Sequence, residues 1–146
     1  MTKPLPDFDL TGFLPYRLSV AAERVSAGLA RVYREEFGLS VAEWRVLAHL
    51  VHAGEVSVRE IERRASLEKS KASRAATRLE AAGLITKSVN PGDKRLIVLA
   101  LTDAGRDLMA RLLPRAEAYQ AALMRMIGSD LAALDRVLAR LEEATP

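Results

Sequence analysis

The segment from Ser57 to Leu101 constrains the fold more than any other part of the chain. Ser57-Val-Arg-Glu60 starts a short helix, Ser70-Lys-Ala-Ser-Arg74 opens a second, and Asn90-Pro-Gly-Asp-Lys-Arg95 joins two runs rich in Leu, Ile and Val. The first start is a capping box, in which hydroxyl and carboxylate each satisfy a backbone N–H that the helix leaves unpaired. Pro91 and Gly92 let the chain reverse sharply, so Leu84 to Val89 and Leu96 to Leu101 read as a β-hairpin. Helix, turn, helix and hairpin in this order make a winged helix-turn-helix. Few chemistries need that order, and duplex DNA reading is the foremost.

The flanks are helical. Leu14, Leu18, Ala21, Val25, Leu29 and Val32 recur at helical spacing, with Pro15 in the first turn and a stop at Gly38. A second capping box, Ser40-Val-Ala-Glu43, opens a helix expected to bury Trp44, Leu47, Ala48 and Val51 and to end at Gly54. The short helix from Ser57 runs to about Ala65, a turn follows at Ser66-Leu67, and the next helix spans about Glu68 to Ala82, closed by Gly83. The second strand of the hairpin is apolar on both faces, which predicts that it packs between the wing and something else instead of standing free in water. Thr102 caps a fifth helix, with Asp103 well placed for the helix dipole, and Pro114 inside that helix predicts a kink. A last helix opens at Ser129-Asp130 and carries Leu131, Leu134, Leu138 and Leu141 at coiled-coil-like intervals. The fold class is mainly α with a small β-hairpin wing.

Bulk properties narrow the function. A chain of 146 residues, 49% hydrophobic, suffices for one compact domain over 1–146, and no apolar run approaches the length of a membrane span. The first six residues lack the pattern of an export signal, so a cytoplasmic location is expected. Cysteine is absent, which removes disulfides, thiolate metal sites and cysteine-based oxidation sensing. Residues 57–95 hold ten Lys/Arg against five Asp/Glu, a local surplus of five within an overall +3, so the remainder carries −2. A basic segment on a nearly neutral body suits a polyanionic partner, because Lys and Arg release counterions from phosphates. Taken alone, a solvated helical face would explain this surplus equally well.

The helix after the turn divides into two faces. Ala72, Ala76, Leu79 and Gly83 form a small apolar side, while Ser70, Lys71, Ser73, Arg74, Thr77 and Arg78 occupy the rest. Such a helix fits a major groove, with its N-terminal side chains toward base edges. Arg74 and Arg78 are the candidate guanine readers, and Lys71 with the Ser hydroxyls fixes position on the backbone. Lys94 and Arg95 at the wing tip suit a narrow minor groove. Asp93 beside them is expected to pair with a nearby Arg and shape the tip.

These residues resemble the MarR type of winged-helix transcription regulators. The resemblance rests on Ser70-Lys-Ala-Ser-Arg74, Arg78-Leu-Glu-Ala-Ala-Gly-Leu-Ile85, Pro91-Gly-Asp-Lys-Arg95 and Leu101-Thr-Asp-Ala-Gly105 in that order. Phe13-Leu-Pro-Tyr-Arg-Leu18 and Leu39-Ser-Val-Ala-Glu-Trp-Arg-Val-Leu47 extend it to the first two helices. It implies a homodimer in which residues 10–37 and 102–146 are dimerisation helices and 40–101 the DNA-binding lobe, facing a near-palindromic operator. The apolar positions of the terminal helices agree, since they exceed what one protomer of this size covers easily.

The resemblance further implies a repressor released by a small phenolic or aromatic carboxylate effector bound between the dimer helices and the lobe. Candidate anchors are Tyr16 and Arg17 at the head of the first helix, Trp44 for a ring, and Arg45, His49 and His52 on one face of the second helix. The plain alternative for Arg45, His49 and His52 is a solvated stripe, and His49 with His52 has helical metal-ligand spacing but no obvious third or fourth ligand beyond Glu43 or Glu55. No cofactor is expected. With no nucleophile elbow, P-loop, dinucleotide fingerprint or His-Glu-x-x-His motif, catalysis is not expected either. A winged-helix adaptor that binds protein instead of DNA is the remaining rival.

Overall fold

The computed structural model describes residues 2–65 and 67–143. The elements run α1 (Leu14–Glu35), α2 (Val41–Ala53), β1 (Glu55–Ser57), α3 (Val58–Arg64), α4 (Lys69–Ala81), β2 (Ile85–Val89), β3 (Ile97–Leu101), α5 (Asp103–Ile127) and α6 (Leu131–Glu143). This is the mainly helical winged fold that the sequence predicts. The expected turn at Ser66-Leu67 falls partly on Ser66, which lies outside the described residues.

Polar caps set the helix starts. Ser40 Oγ accepts from Glu43 N at 3.2 Å, Ser57 Oγ from Glu60 N at 3.2 Å, and Thr102 Oγ1 from Gly105 N at 3.0 Å. Losing such a cap costs roughly 1 kcal/mol. The Glu43 carboxylate does not complete the box by returning to its cap's backbone N–H. It accepts the Ser40 hydroxyl at 2.9 Å and faces Arg78.

The hairpin acquires a third strand. β1 pairs with β3 antiparallel, Val56 opposite Leu99, while β2 pairs with the other edge of β3, Lys87 opposite Leu99. The strand order β1-β3-β2 puts β3 in the middle, and α2, α3 and α5 pack on it, which accounts for its apolar side chains. Three residues between two helices were too few to read as a strand, and Ser57 also serves as the cap of α3.

The core gathers Val46, Leu47 and Leu50 of α2, Ile61 of α3, Ala72, Ala75, Ala76 and Leu79 of α4, and Val56, Ile85 and Leu99 of the sheet. Tyr33 closes it from α1, Met109 and Leu112 from α5. The expected α2 face is corrected: Leu47 is buried, but Ala48 and Trp44 are only partly covered and Val51 is exposed. The buried face is turned by one residue, about 100°, because α2 packs on both α4 and β3.

Other boundaries shift slightly. α5 runs as one helix through Pro114, and a 3₁₀ turn, Gly128–Asp130, precedes α6 where the sequence predicts a helix start at Ser129. Gly105 lets the first turn of α5 press on the hairpin: a Cβ there would overlap the Leu84 carbonyl, which already accepts from Thr102 N at 3.1 Å.

Candidate nucleic-acid interface

The geometry of α4 follows from its alanines. Ala72, Ala75, Ala76 and Leu79 are buried, so the helix lies close against α2 and α3 and turns its other face outward. Ser70, Lys71, Ser73, Arg74, Thr77 and Arg78 are all exposed on that face. Ala75 completes the buried side, and Gly83 lies just beyond it in the left-handed conformation.

The six outward residues are not equivalent. Arg78 Nε lies 3.4 Å from Glu43 Oε1 on the first turn of α2. Thr77 Oγ1 donates to the Ser73 carbonyl at 3.0 Å and accepts from Lys87 Nζ of β2 at 3.1 Å. Lys71 and Arg74 make no ion pair among the described residues. Their charge is therefore available to an incoming anion.

The wing tip is held by its own side chains. Asn90 Oδ1 accepts from the backbone N–H groups of Gly92 at 2.8 Å and Asp93 at 3.2 Å. Asp93 takes the Arg95 guanidinium at two points, 3.1 and 3.3 Å, and the Arg95 backbone N–H at 3.1 Å. These bonds from Arg95 hold the Asp93 carboxyl below the usual carboxylate range, with Arg59 adding to the effect. The Arg95 side chain stays solvent-exposed, and Lys94 beside it makes no ion pair among the described residues.

Two basic residues join this surface without having been singled out from the sequence. Arg59 of α3 and Lys69 of α4, with Ser73, Arg95 and Glu62, line a recess of about 250 Å³ floored by Val58, Leu96 and Ile97. Both lie inside the basic stretch, and only the docking of the wing against α3 reveals that they converge. Lys87 offered no signal, because its reach to Thr77 depends on how β2 packs.

The proposed effector anchors are separated. Tyr16 and Arg17 are exposed on the first turn of α1. Arg45 donates to the Ala65 carbonyl at 3.2 Å, tying α2 to the end of α3. His49 is half-buried; burial first, then Arg64, His52 and Arg45, push its pKa down, while His52 is exposed. Among the described residues no group of three or more His, Asp or Glu could hold a metal ion. Trp44 stacks on Tyr33 at 5.7 Å and 11°.

Of the six anchors, Trp44 alone walls a recess of about 390 Å³ between α1 and α5, with Val25, Leu29, Leu113, Tyr119 and Leu123. Its one charged lining residue is Glu117. The Tyr119 hydroxyl donates to the Val25 carbonyl at 2.6 Å and fixes the two helices there.

Comparison with known proteins agrees with this geometry. The sequence model of the MarR family matches residues 37–96. An uncharacterised HTH-type transcriptional regulator of Bacillus subtilis, YdgJ, is 29% identical over 70 residues, 48% of this chain; the match spans 43% of that protein's length. Bordetella bronchiseptica BpsR, whose DNA binding is regulated by 6-hydroxynicotinic acid, has a similar fold, with a TM-score of 0.82 at 21% identity over 96% of this chain and all of that one. A MarR family transcriptional regulator from Silicibacter pomeroyi is 31% identical with a TM-score of 0.80, over 94% of this chain and 98% of that one. With that much of its length shared, and its lobe matched by the family's own sequence pattern, this chain belongs to the MarR family of winged helix-turn-helix transcription regulators.

Proposed function

We propose that the protein is a homodimeric repressor that reads a near-palindromic operator through α4 and the wing and releases it when a small ligand binds. One observation carries the DNA reading: α4 is buried on one face and presents Lys71 and Arg74, free of ion pairs among the described residues, on the other. Ser70 and Ser73 stand beside them, and Lys94 adds a second point of contact at the wing. Arg74 reads guanine; Lys71, Lys94 and the serines set position on the backbone.

Support for the dimer comes from the terminal helices, residues 10–37 and 102–146. Leu14, Leu18 and Val25 of α1, Met124 and Met126 of α5, and Val137 and Leu138 of α6 are large apolar residues left exposed. A second copy would cover them and set two copies of α4 to meet half-sites about 34–36 Å apart. The apolar recess at Trp44 is the place for an effector. Its chemistry favours a phenol over a carboxylate, since Glu117 is the charged residue there and Arg45 is engaged with Ala65. Release needs different ligand affinity in the DNA-bound and free geometries.

Titration of duplex DNA across a salt series tests this reading. Log affinity for random duplex falls steeply with log salt. Arg74→Ala weakens a selected duplex by roughly 5- to 150-fold and loses preference at one base. Lys94→Ala weakens all sequences alike and shallows the slope by about 1. Absence of salt-dependent binding in dilute buffer refutes the reading. The adaptor alternative draws on Val89 and Ile97, paired on the wing and 57% and 42% exposed. It predicts no such slope.

A further inference from the structure

We infer that Arg78 and Thr77 do not read bases but are positioning residues, held from opposite sides by Glu43 of α2 and Lys87 of β2, that fix how α4 is presented to DNA. This rests on the DNA reading above and divides the labour on the outward face of α4. Arg78 Nε lies 3.4 Å from Glu43 Oε1, and the Glu43 side chain is only 15% exposed against 54% for Arg78. The same oxygen accepts the Ser40 hydroxyl at 2.9 Å, so the carboxylate is anchored to its own helix cap and Arg78 comes to it. Ser40 caps α2 and Glu43 lies in its first turn, which makes the Arg78–Glu43 pair a link between two helices that pack in the core.

On the other side, Lys87 Nζ donates to Thr77 Oγ1 at 3.1 Å and that hydroxyl spends its proton on the Ser73 carbonyl at 3.0 Å. Thr77 therefore has no donor left for a base. Arg78 and Thr77 are adjacent in sequence, yet one reaches the α2 side and the other the wing side. Together they resist rotation of α4 about its axis and tilt toward either neighbour. Ser70, Lys71 and Arg74 lie nearer the helix start and make no side-chain bond among the described residues, which leaves base reading to them.

Electrostatics gives the test a sign. A guanine-reading Arg78 would be hindered by Glu43, so removing that charge would tighten binding. A positioning Arg78 loses its anchor instead, and binding weakens. Charge removal alone favours a polyanion, so Glu80→Gln, on an exposed residue of α4 that makes no ion pair among the described residues, calibrates that effect.

The experiment selects duplexes from a randomised pool with the wild-type protein. It then measures affinity and base preference for each variant at a temperature where circular dichroism shows it fully folded. Relative to the Glu80→Gln control, Glu43→Gln binds the selected duplex about 2- to 5-fold more weakly, the size a half-exposed ion pair supports. Arg78→Ala loses a similar factor against wild type, and the double variant falls no further than Arg78→Ala alone. Base preference is unchanged in all of them. Arg78→Lys stays near wild type, because a lysine keeps the ion pair but cannot make the bidentate guanine contact. Lys87→Met weakens binding by the same order without changing preference. Tighter binding by Glu43→Gln than by Glu80→Gln, or loss of one base position in Arg78→Ala, overturns the inference and leaves the DNA reading intact. Failure of the wild-type protein to retain any pool DNA in dilute buffer overturns both.

Discussion

The lobe from α2 to β3 and the helices at the two ends of the chain are built to different standards of closure. In the lobe each element contributes fully buried side chains, Leu47, Ile61, Leu79 and Leu99 among them. α6, by contrast, has no buried residue, and the first half of α1 leaves its apolar stripe in solvent. The ends are helical and amphipathic, whereas the lobe adds the three-stranded sheet to its helices. The lobe is finished by its own chain, whereas the ends leave large apolar side chains uncovered among the described residues.

Large-to-small substitutions probe that contrast most strongly. Leu79→Ala opens a cavity in the lobe and should cost about 2–5 kcal/mol, read as a lowered melting temperature. Leu138→Ala removes a side chain that is 42% exposed in the single chain. A lone chain would lose no more than about 0.5 kcal/mol. Under the dimer reading the loss instead reaches about 2 kcal/mol and grows on dilution. Equal, concentration-independent costs at the two sites would erase the distinction between the regions.

Gly105→Ala tests where lobe and terminal helix meet. Its Cβ would overlap a backbone carbonyl that cannot swing away, so about 1–3 kcal/mol should be lost in thermal unfolding. Ser57→Ala removes the cap of α3 and should cost roughly 1 kcal/mol. A silent result would mean that α3 is held by its neighbours alone.

The smallest effect is with pH. Burial and nearby cations favour neutral His49 in the folded chain, so its pKa lies below the ordinary 6.5. The unfolded chain then binds more protons on the acid side of that value, and stability is complete above it and declines as pH falls below it. His49→Gln should flatten that decline in urea midpoints measured across the window. An unchanged profile would assign the acid sensitivity to other groups.

Much of this was legible in residues 40–101 because capping boxes, the Pro-Gly turn and the alanine face of α4 are local signals. Local signals failed where tertiary packing decides. β1 forms by pairing Glu55–Ser57 with the edge of β3 that β2 leaves open, and α2 is turned by one residue because two elements compete for its face. The site shows the same limit. Outward exposure of Lys71 and Arg74 follows from helical spacing, but Arg78 meets Glu43 across 35 residues of sequence, and Thr77 meets Lys87 across a strand. The six effector anchors were grouped by chemistry, and the fold distributes them over separate places, with Arg45 used to tie α2 to α3.

Glu43 and Trp44 are consecutive in the chain yet serve opposite ends of the molecule's business. The indole walls the apolar recess against α5, and the carboxylate one residue earlier grips Arg78. A body lodged against that ring presses on a lever only one peptide unit long. Its far arm ends on Arg78 of α4, so under the proposed DNA reading a displacement too slight to unfold anything would still turn that helix away from the groove.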